Sequence, residues 1–345
     1  MSKSWRDRPL TQLVLIRFLE FYREPEAIFW TFGFPILLAI GLGIAFRERA
    51  PEVLKIAVVS PELAKSIGAE KLLAAQQMPE AAAREALRTG KVALLAEPGP
   101  NGSVIYRFDE TNPEGRSARL LADRAVQRAA GRTDPVAARD ELLSEAGSRY
   151  IDFLIPGLLG MNLMGSGIWG VGFGIVDARR KKLMKRLIGT PMPRHEYLAS
   201  FALSRLIMLV VEVGAVAGFG HFVFKVPMRG SLLDLALFCI LGALAFSSIG
   251  LLIASRARTI EGASGLMNLV MMPMWVVSGV FFSAQRFPDI VQPVIKLLPL
   301  TALIDGLRAN MLQGAGLAAL GPQAAILACW LVAAFTVALK LFRWK

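Results

Sequence analysis

Apolar residues in this sequence collect into long runs, and polar residues collect between them. Six runs match the roughly 20 residues that a helix needs to cross a hydrocarbon layer of about 30 Å. They are Ile28–Phe46, Tyr150–Val176, Phe201–Phe224, Leu232–Ala254, Gly262–Phe282 and Pro322–Phe342. Three stretches depart from that pattern. Between Pro9 and Tyr22, Leu10, Leu13, Val14, Phe18, Leu19 and Phe21 recur near helical spacing, and residues 1–27 also hold Lys3, Arg6, Arg8, Arg17 and Arg23. This predicts an amphipathic helix on the membrane surface, with its cations toward lipid headgroups. Residues 283–321 are apolar but broken by Pro288, Pro293 and Pro299. Each proline limits helix length, so two short helices, Pro288–Leu298 and Leu300–Leu312, are expected to dip into the outer interface without crossing.

Residues 47–149 are charged throughout and contain no spanning run. The pattern there predicts strands at 54–60, 92–96 and 103–108, and helices over Pro61–Met78 and Glu80–Leu87. Asn112-Pro113-Glu114 supplies an N-cap, a first-turn proline and a first-turn acid for a helix to about Ala130. A further helix is expected from Pro135 into the second span. The fold class that follows is a helical membrane protein: six transmembrane helices, with an α/β domain of about 100 residues between the first and second.

Composition supports that class. Hydrophobic residues make up 54% of the 345 and charged residues 19%, a balance that argues against a soluble domain. The net charge is +12, but the cations sit in short loops between apolar runs, which reads as topology rather than nucleic-acid binding. With the N-terminus in the cytoplasm, the basic segments 1–27, 177–198, 255–260 and 340–345 all fall inside. Arg229, Arg286, Lys296 and Arg308 fall outside. The 47–149 domain is then extracytoplasmic, and both chain ends are cytoplasmic. No cleavable leader is evident, because the first apolar run starts after a long charged segment and is too long for one.

Few residues suggest chemistry of their own. The one Gly-Lys pair, Gly90-Lys91, is followed by valine, so there is no Walker A loop to cradle phosphates. Two histidines, His195 and His221, form no zinc pattern. The two cysteines, Cys239 and Cys329, each lie inside an apolar run and suit packing. Met164-Gly-Ser-Gly resembles a nucleophile elbow but sits inside a span with no histidine base nearby. No catalytic residue, metal site or cofactor is expected.

The polar groups within apolar runs are more informative. Glu212 is costly in hydrocarbon unless paired or protonated, so it has either a functional role or a hydrogen bond to a neighbouring helix. Asn268 is expected to bridge helices, and Asp305 and Arg308, one turn apart, to form a local pair. Ser166, Gly170 and Gly174 fall at the small-xxx-small spacing that lets another helix backbone approach, from this chain or a second copy. The second span then ends in Asp177-Ala-Arg-Arg-Lys-Lys-Leu-Met-Lys-Arg-Leu, followed by Ile188-Gly-Thr-Pro. A short charged helix joined directly to two spans suits contact with a soluble partner, although the same charges also set topology.

The order of these segments resembles the membrane subunit of an ABC transporter of the type-2 exporter family. The similarity rests on the surface helix leading into Phe29-Trp30 with Pro35 in the span, on Tyr150-Ile-Asp-Phe-Leu-Ile-Pro-Gly, on the 177–191 block, and on Leu298-Pro-Leu-Thr-Ala-Leu-Ile-Asp-Gly-Leu-Arg. It covers nearly the whole chain. The resemblance implies a permease that pairs with a second copy or a paralogue, each docking a separate ATPase. Asp177, Arg179, Arg180, Lys181, Lys182, Lys185, Arg186, Gly189 and Pro191 would form the coupling segment. It also implies export through the bacterial inner membrane, of an apolar or amphipathic substrate drawn from the lipid. A periplasmic adaptor is a further partner that the outer domain could contact. Two other classes remain: a membrane-anchored sensor or scaffold whose outer domain binds a ligand, and an intramembrane enzyme, for which Glu212, His221 and Asn268 are the available groups.

Overall fold

The computed structural model describes residues 9–46, 53–133, 136, 147, 149–181, 194–257 and 259–341, with backbone alone for 9 and 194–202. The chain divides into two compact units, Met1–Arg47 with Leu143–Lys345, and Glu48–Leu142.

The first unit is helical. α1 (Pro9–Arg23) precedes α2 (Pro25–Ala45), and then come α6 (Tyr150–Arg180), α7 (Arg194–Phe224), α8 (Leu232–Arg256) and α9 (Ile260–Val277). The short α10 (Gln292–Leu297) and α11 (Pro299–Gln313) lead to α12 (Gly321–Leu341). Six of these helices, α2, α6, α7, α8, α9 and α12, are long and apolar enough to cross a membrane. α6 is the hub, packing against α2, α7, α8, α9 and α11. Its first half is buried almost residue by residue from Ile151 to Met164.

Local chemistry sets the helix limits. The side chains of Ser231 and Thr259 accept hydrogen bonds from Asp234 N (3.4 Å) and Gly262 N (3.1 Å), capping α8 and α9. α9 stops at Val277, five residues before the expected end, and Gly279 at φ +80° turns the chain back. Pro299 opens α11, and Gly314, in the left-handed region, closes it. Phe29–Gly33 of α2 is a π-helical segment, just ahead of Pro35.

The second unit is a four-stranded sheet with helices on both faces. β1 (Leu54–Val58), α3 (Pro61–Gly68), β2 (Leu73–Gln77), α4 (Glu80–Arg88), β3 (Leu94–Pro98), β4 (Val104–Arg107) and α5 (Pro113–Ala129) follow in order. The strand order is β2-β1-β3-β4. β1 pairs in parallel with β2 and β3, and β4 runs antiparallel to β3. Ile56, Val58, Leu94 and Ala96 pack with Ile67 of α3 and with Ala118 and Ala122 of α5. Ala57 and Leu95 face Ala83 of α4. The helix expected over Pro61–Met78 is corrected here: it ends at Gly68, and Leu73-Ala-Ala-Gln-Gln forms β2. Those residues favour helix on their own; parallel pairing with β1 overrides that preference. The helix expected from Pro135 falls largely on residues outside the described set.

Candidate functional site

Four polar side chains of the spanning helices, Asn162, Ser166, Arg205 and Glu212, lie along one seam between α2, α6 and α7. Asn162 and Ser166 lie one turn apart on α6, hence on one face. Arg205 and Glu212 lie two turns apart on α7. Arg205 Nη1 donates to Glu212 Oε1 at 3.0 Å, and its Nη2 donates to Ser166 Oγ at 2.8 Å. The Ser166 hydroxyl donates in turn to Glu212 Oε2 at 2.7 Å. The Glu212 side chain is 2% exposed and that of Arg205 21%. A carboxylate so enclosed needs its cation: removing one partner of a buried pair costs about 3–5 kcal/mol.

The seam reaches α2 through a backbone defect. Pro35 has no N–H to offer the carbonyl four residues earlier, that of Thr31. Asn162 Nδ2 donates to that Thr31 oxygen instead. Two buried atoms of the seam, Arg205 Nε and Asn162 Oδ1, have no hydrogen-bond partner among the described residues.

Some sequence expectations change at this point. Glu212 does bond to a neighbouring helix, but its cation, Arg205, comes from its own helix and was missed, as was Asn162. The signals were a cation two turns from an acid on one apolar face, and a proline-freed carbonyl needing a donor. Ser166, expected as a packing residue, is the hydrogen-bonding centre of the cluster. A Cβ on Gly170 or Gly174 would meet nothing within 4 Å. The close approaches within this chain lie elsewhere, at Gly157 against the Val280 carbonyl, Gly167 against Phe246 and Gly172 against Gly250. Asn268 is exposed on α9 and bridges no helices by hydrogen bond among the described residues. His221 Nδ1 lies 3.0 Å from the Val226 carbonyl, and no described hydrogen bond joins it to Glu212 or Asn268.

At its C-terminal end α6 carries the first of the basic residues. Asp177 Oδ2 and Lys181 Nζ are 2.7 Å apart. That bond holds the Lys181 ammonium above its ordinary range, with smaller contributions from the carboxylates of Glu20 on α1 and Glu24 just after it. Arg179 is directed inward: Nη1 donates to the carbonyls of Ala254 (3.3 Å) and Ala257 (3.4 Å). It therefore caps the C-terminus of α8, where unpaired carbonyls and the negative end of the helix dipole favour a cation. Arg180 and Lys181 are exposed. Lys182, Lys185, Arg186, Gly189 and Pro191 lie outside the described residues.

The N-terminal end of α6 is clamped. Arg149 holds Asp152 through Nε–Oδ2 (2.9 Å) and Nη2–Oδ1 (2.8 Å), and Nη2 also donates to the Lys225 carbonyl at 3.1 Å. The Tyr150 hydroxyl donates to the Phe281 carbonyl at 2.9 Å. Asp305 and Arg308, expected as a local pair, interact electrostatically but form no salt bridge among the described residues. Arg308 donates to the carbonyls of Phe153 and Gly279, with its guanidinium 3.5 Å from the Phe153 ring centre. The Gly279 carbonyl just past the C-terminus of α9, the Phe153 carbonyl and the aromatic face stabilise it there. Asp305 is left on the exposed side of α11.

Residues 25–340 match the family described as ABC-2 family transporter protein. Among individual proteins, the chain is 28% identical over 170 residues to the inner membrane transport permease YadH of Escherichia coli, covering 48% of this chain and 64% of that protein. It is 28% identical over 173 residues to the inner membrane transport permease YhhJ of the same organism, covering 50% and 46%. ABC transporter G family member 20 of Dictyostelium discoideum is 24% identical over 230 residues, 65% of this chain and 32% of that protein. The chain thus spans less than two thirds of the length of these curated relatives.

Proposed function

We infer the function from one premise: the chain belongs to the ABC-2 transporter family. It is the permease subunit of an ATP-driven exporter in the bacterial inner membrane. It works with a separate ATPase subunit and a second permease copy, and moves an apolar or amphipathic molecule outward. The 177–198 loop receives the ATPase on the cytoplasmic side, both chain ends are cytoplasmic, and the 47–149 unit lies outside. The concentration of cations in segments that this orientation places inside supports it.

The observation that carries the reading is the position of α6. Its exposed basic end at Arg180 and Lys181 runs directly into the loop, and its body packs on α2, α7, α8 and α9. A push on that end is therefore delivered to most of the spanning bundle. In the test, the chain is co-expressed with an ABC ATPase subunit that co-purifies with it, and ATP hydrolysis by the purified complex is measured. Arg180→Glu combined with Lys182→Glu should abolish the permease's stimulation of hydrolysis. Arg179 is left intact because it caps α8. Unchanged stimulation by a folded charge-reversed permease would refute the docking assignment.

A further inference from the structure

We propose that Arg205, Glu212, Ser166 and Asn162 are positioning residues that carry a displacement of the 177–198 loop into the first span. The proposal rests on the export reading and adds to it the route by which the push is passed on.

The loop has two ends, and each leads by one unbroken helix to the seam. Ser166 lies 14 residues before Arg180 on α6, about 21 Å at 1.5 Å per residue. Arg205 lies 11 residues after Arg194 on α7, about 16 Å by the same rise. Two stiff rods driven at one end thus meet at Ser166, Arg205 and Glu212. The next link is the first span. Only 11% of the most apolar 18-residue stretch of α2 is buried within this chain, so apolar packing ties it loosely. The Asn162–Thr31 hydrogen bond is a directional attachment, made one turn along α6 from Ser166.

The bonding of the seam also suits a moving part. A permanent staple would satisfy all its buried polar atoms, because an unpaired one is costly in low dielectric. Here Arg205 Nε and Asn162 Oδ1 both lack a partner among the described residues. A second arrangement can use them, and coupling between distant sites needs an element with two discrete arrangements.

The experiment uses the full permease with its ATPase subunit in lipid nanodiscs, with Cys239 and Cys329 replaced by alanine. Spin labels go on cysteines placed at Leu37 of α2 and Leu237 of α8, both exposed. The distance between them is measured without nucleotide and with ATP and vanadate, alongside ATP hydrolysis and thermal stability. In the parent complex, nucleotide shifts the distance. Glu212→Gln, which keeps the shape and the hydrogen bond from Ser166, is expected to abolish the shift while hydrolysis stays within about twofold. Exchanging the charges in R205E/E212R is expected to restore the shift. Ser166→Ala is the second variant should Glu212→Gln fail to fold, with the same expectation. An undiminished shift in a folded variant overturns the proposal. So does a fall in hydrolysis that merely parallels lost thermal stability, which is what a purely structural pair would give. A parent complex with neither shift nor stimulated hydrolysis overturns the export reading itself, a result distinct from the other two.

Discussion

The second and sixth spans solve opposite problems. In α6, 83% of the most apolar window is buried inside the chain; in α12 the figure is 17%. Yet α12 is the more apolar of the two by composition. Hydropathy therefore measures how much of a span faces lipid, and says little about how central it is. Lipid tails are as apolar as leucine, so helices do not associate in a bilayer to hide apolar surface. They associate through close backbone approach and hydrogen bonds. α6 has both, in Gly157, Gly167 and Gly172 and in Asn162 and Ser166. α12 instead presents Val332, Phe335, Val337 and Leu339 outward.

The strongest way to break this contrast is at the seam. Arg205→Ala leaves the Glu212 carboxylate buried with the Ser166 hydroxyl alone, and should cost about 3–5 kcal/mol. Unfolding followed by circular dichroism in detergent would read this directly. The double variant R205A/E212A should recover most of the loss, because removing both partners of a buried pair is often nearly neutral. If the single and double variants were equally destabilised, the loss would not come from a buried Glu212 carboxylate left without its cation.

Packing at glycine comes next in size. A Cβ on Gly157 would lie 2.5 Å from the carbonyl oxygen of Val280, a backbone atom that cannot rotate away. Gly157→Val should therefore destabilise by about 1–3 kcal/mol. Val332→Ala, on the outward face of α12, should stay within about 0.5 kcal/mol. Equal losses at the two sites would mean that α6 is no more central than α12.

The same contrast explains what the sequence made legible. Spans were readable because length and composition suffice: the α8 and α12 limits fall within two residues of those expected. β2 was not readable, because Leu73-Ala-Ala-Gln-Gln becomes a strand through its neighbour and not through its own preference. Within the site, Glu212 stood out as a charge in an apolar run. Its setting did not, because the hydroxyl from α6 reaches it in three dimensions alone. Arg205 escaped notice because it lies near the end of its run, where a cation reads as an interfacial anchor. The role of Arg179 was hidden in the same way: a basic block shows its charge, but not that one member turns back to cap α8.

Outside the spanning helices, water competes for every hydrogen bond, and local chemistry matters in smaller steps. In the second unit, Asn112 Oδ1 accepts from Glu114 N at 2.9 Å and caps α5. Asn112→Ala should lower the stability of that unit by about 1 kcal/mol. Urea unfolding of the complete protein, followed by a probe on α5, would measure it. A loss as large as that of Arg205→Ala would show that buried pairs among the spans carry no special weight.

The smallest expected effect on the fold sharpens the comparison most. Gly170 and Gly174 share the helix of Gly157 and Gly172, but a side chain there would meet open space. Gly170→Leu should leave the stability of a single chain unchanged to within about 0.5 kcal/mol, since leucine is a better helix former than glycine. If this face of α6 receives a helix from the second copy, the same substitution removes the close approach and weakens the dimer. Mass photometry of the permease in nanodiscs separates the two effects, since it counts copies and not folded fraction. An unchanged fold with fewer dimers would show that α6 uses one set of glycines to build the subunit and another to join it. Unchanged dimers would leave the second set without a packing role and move the subunit contact to a less buried span.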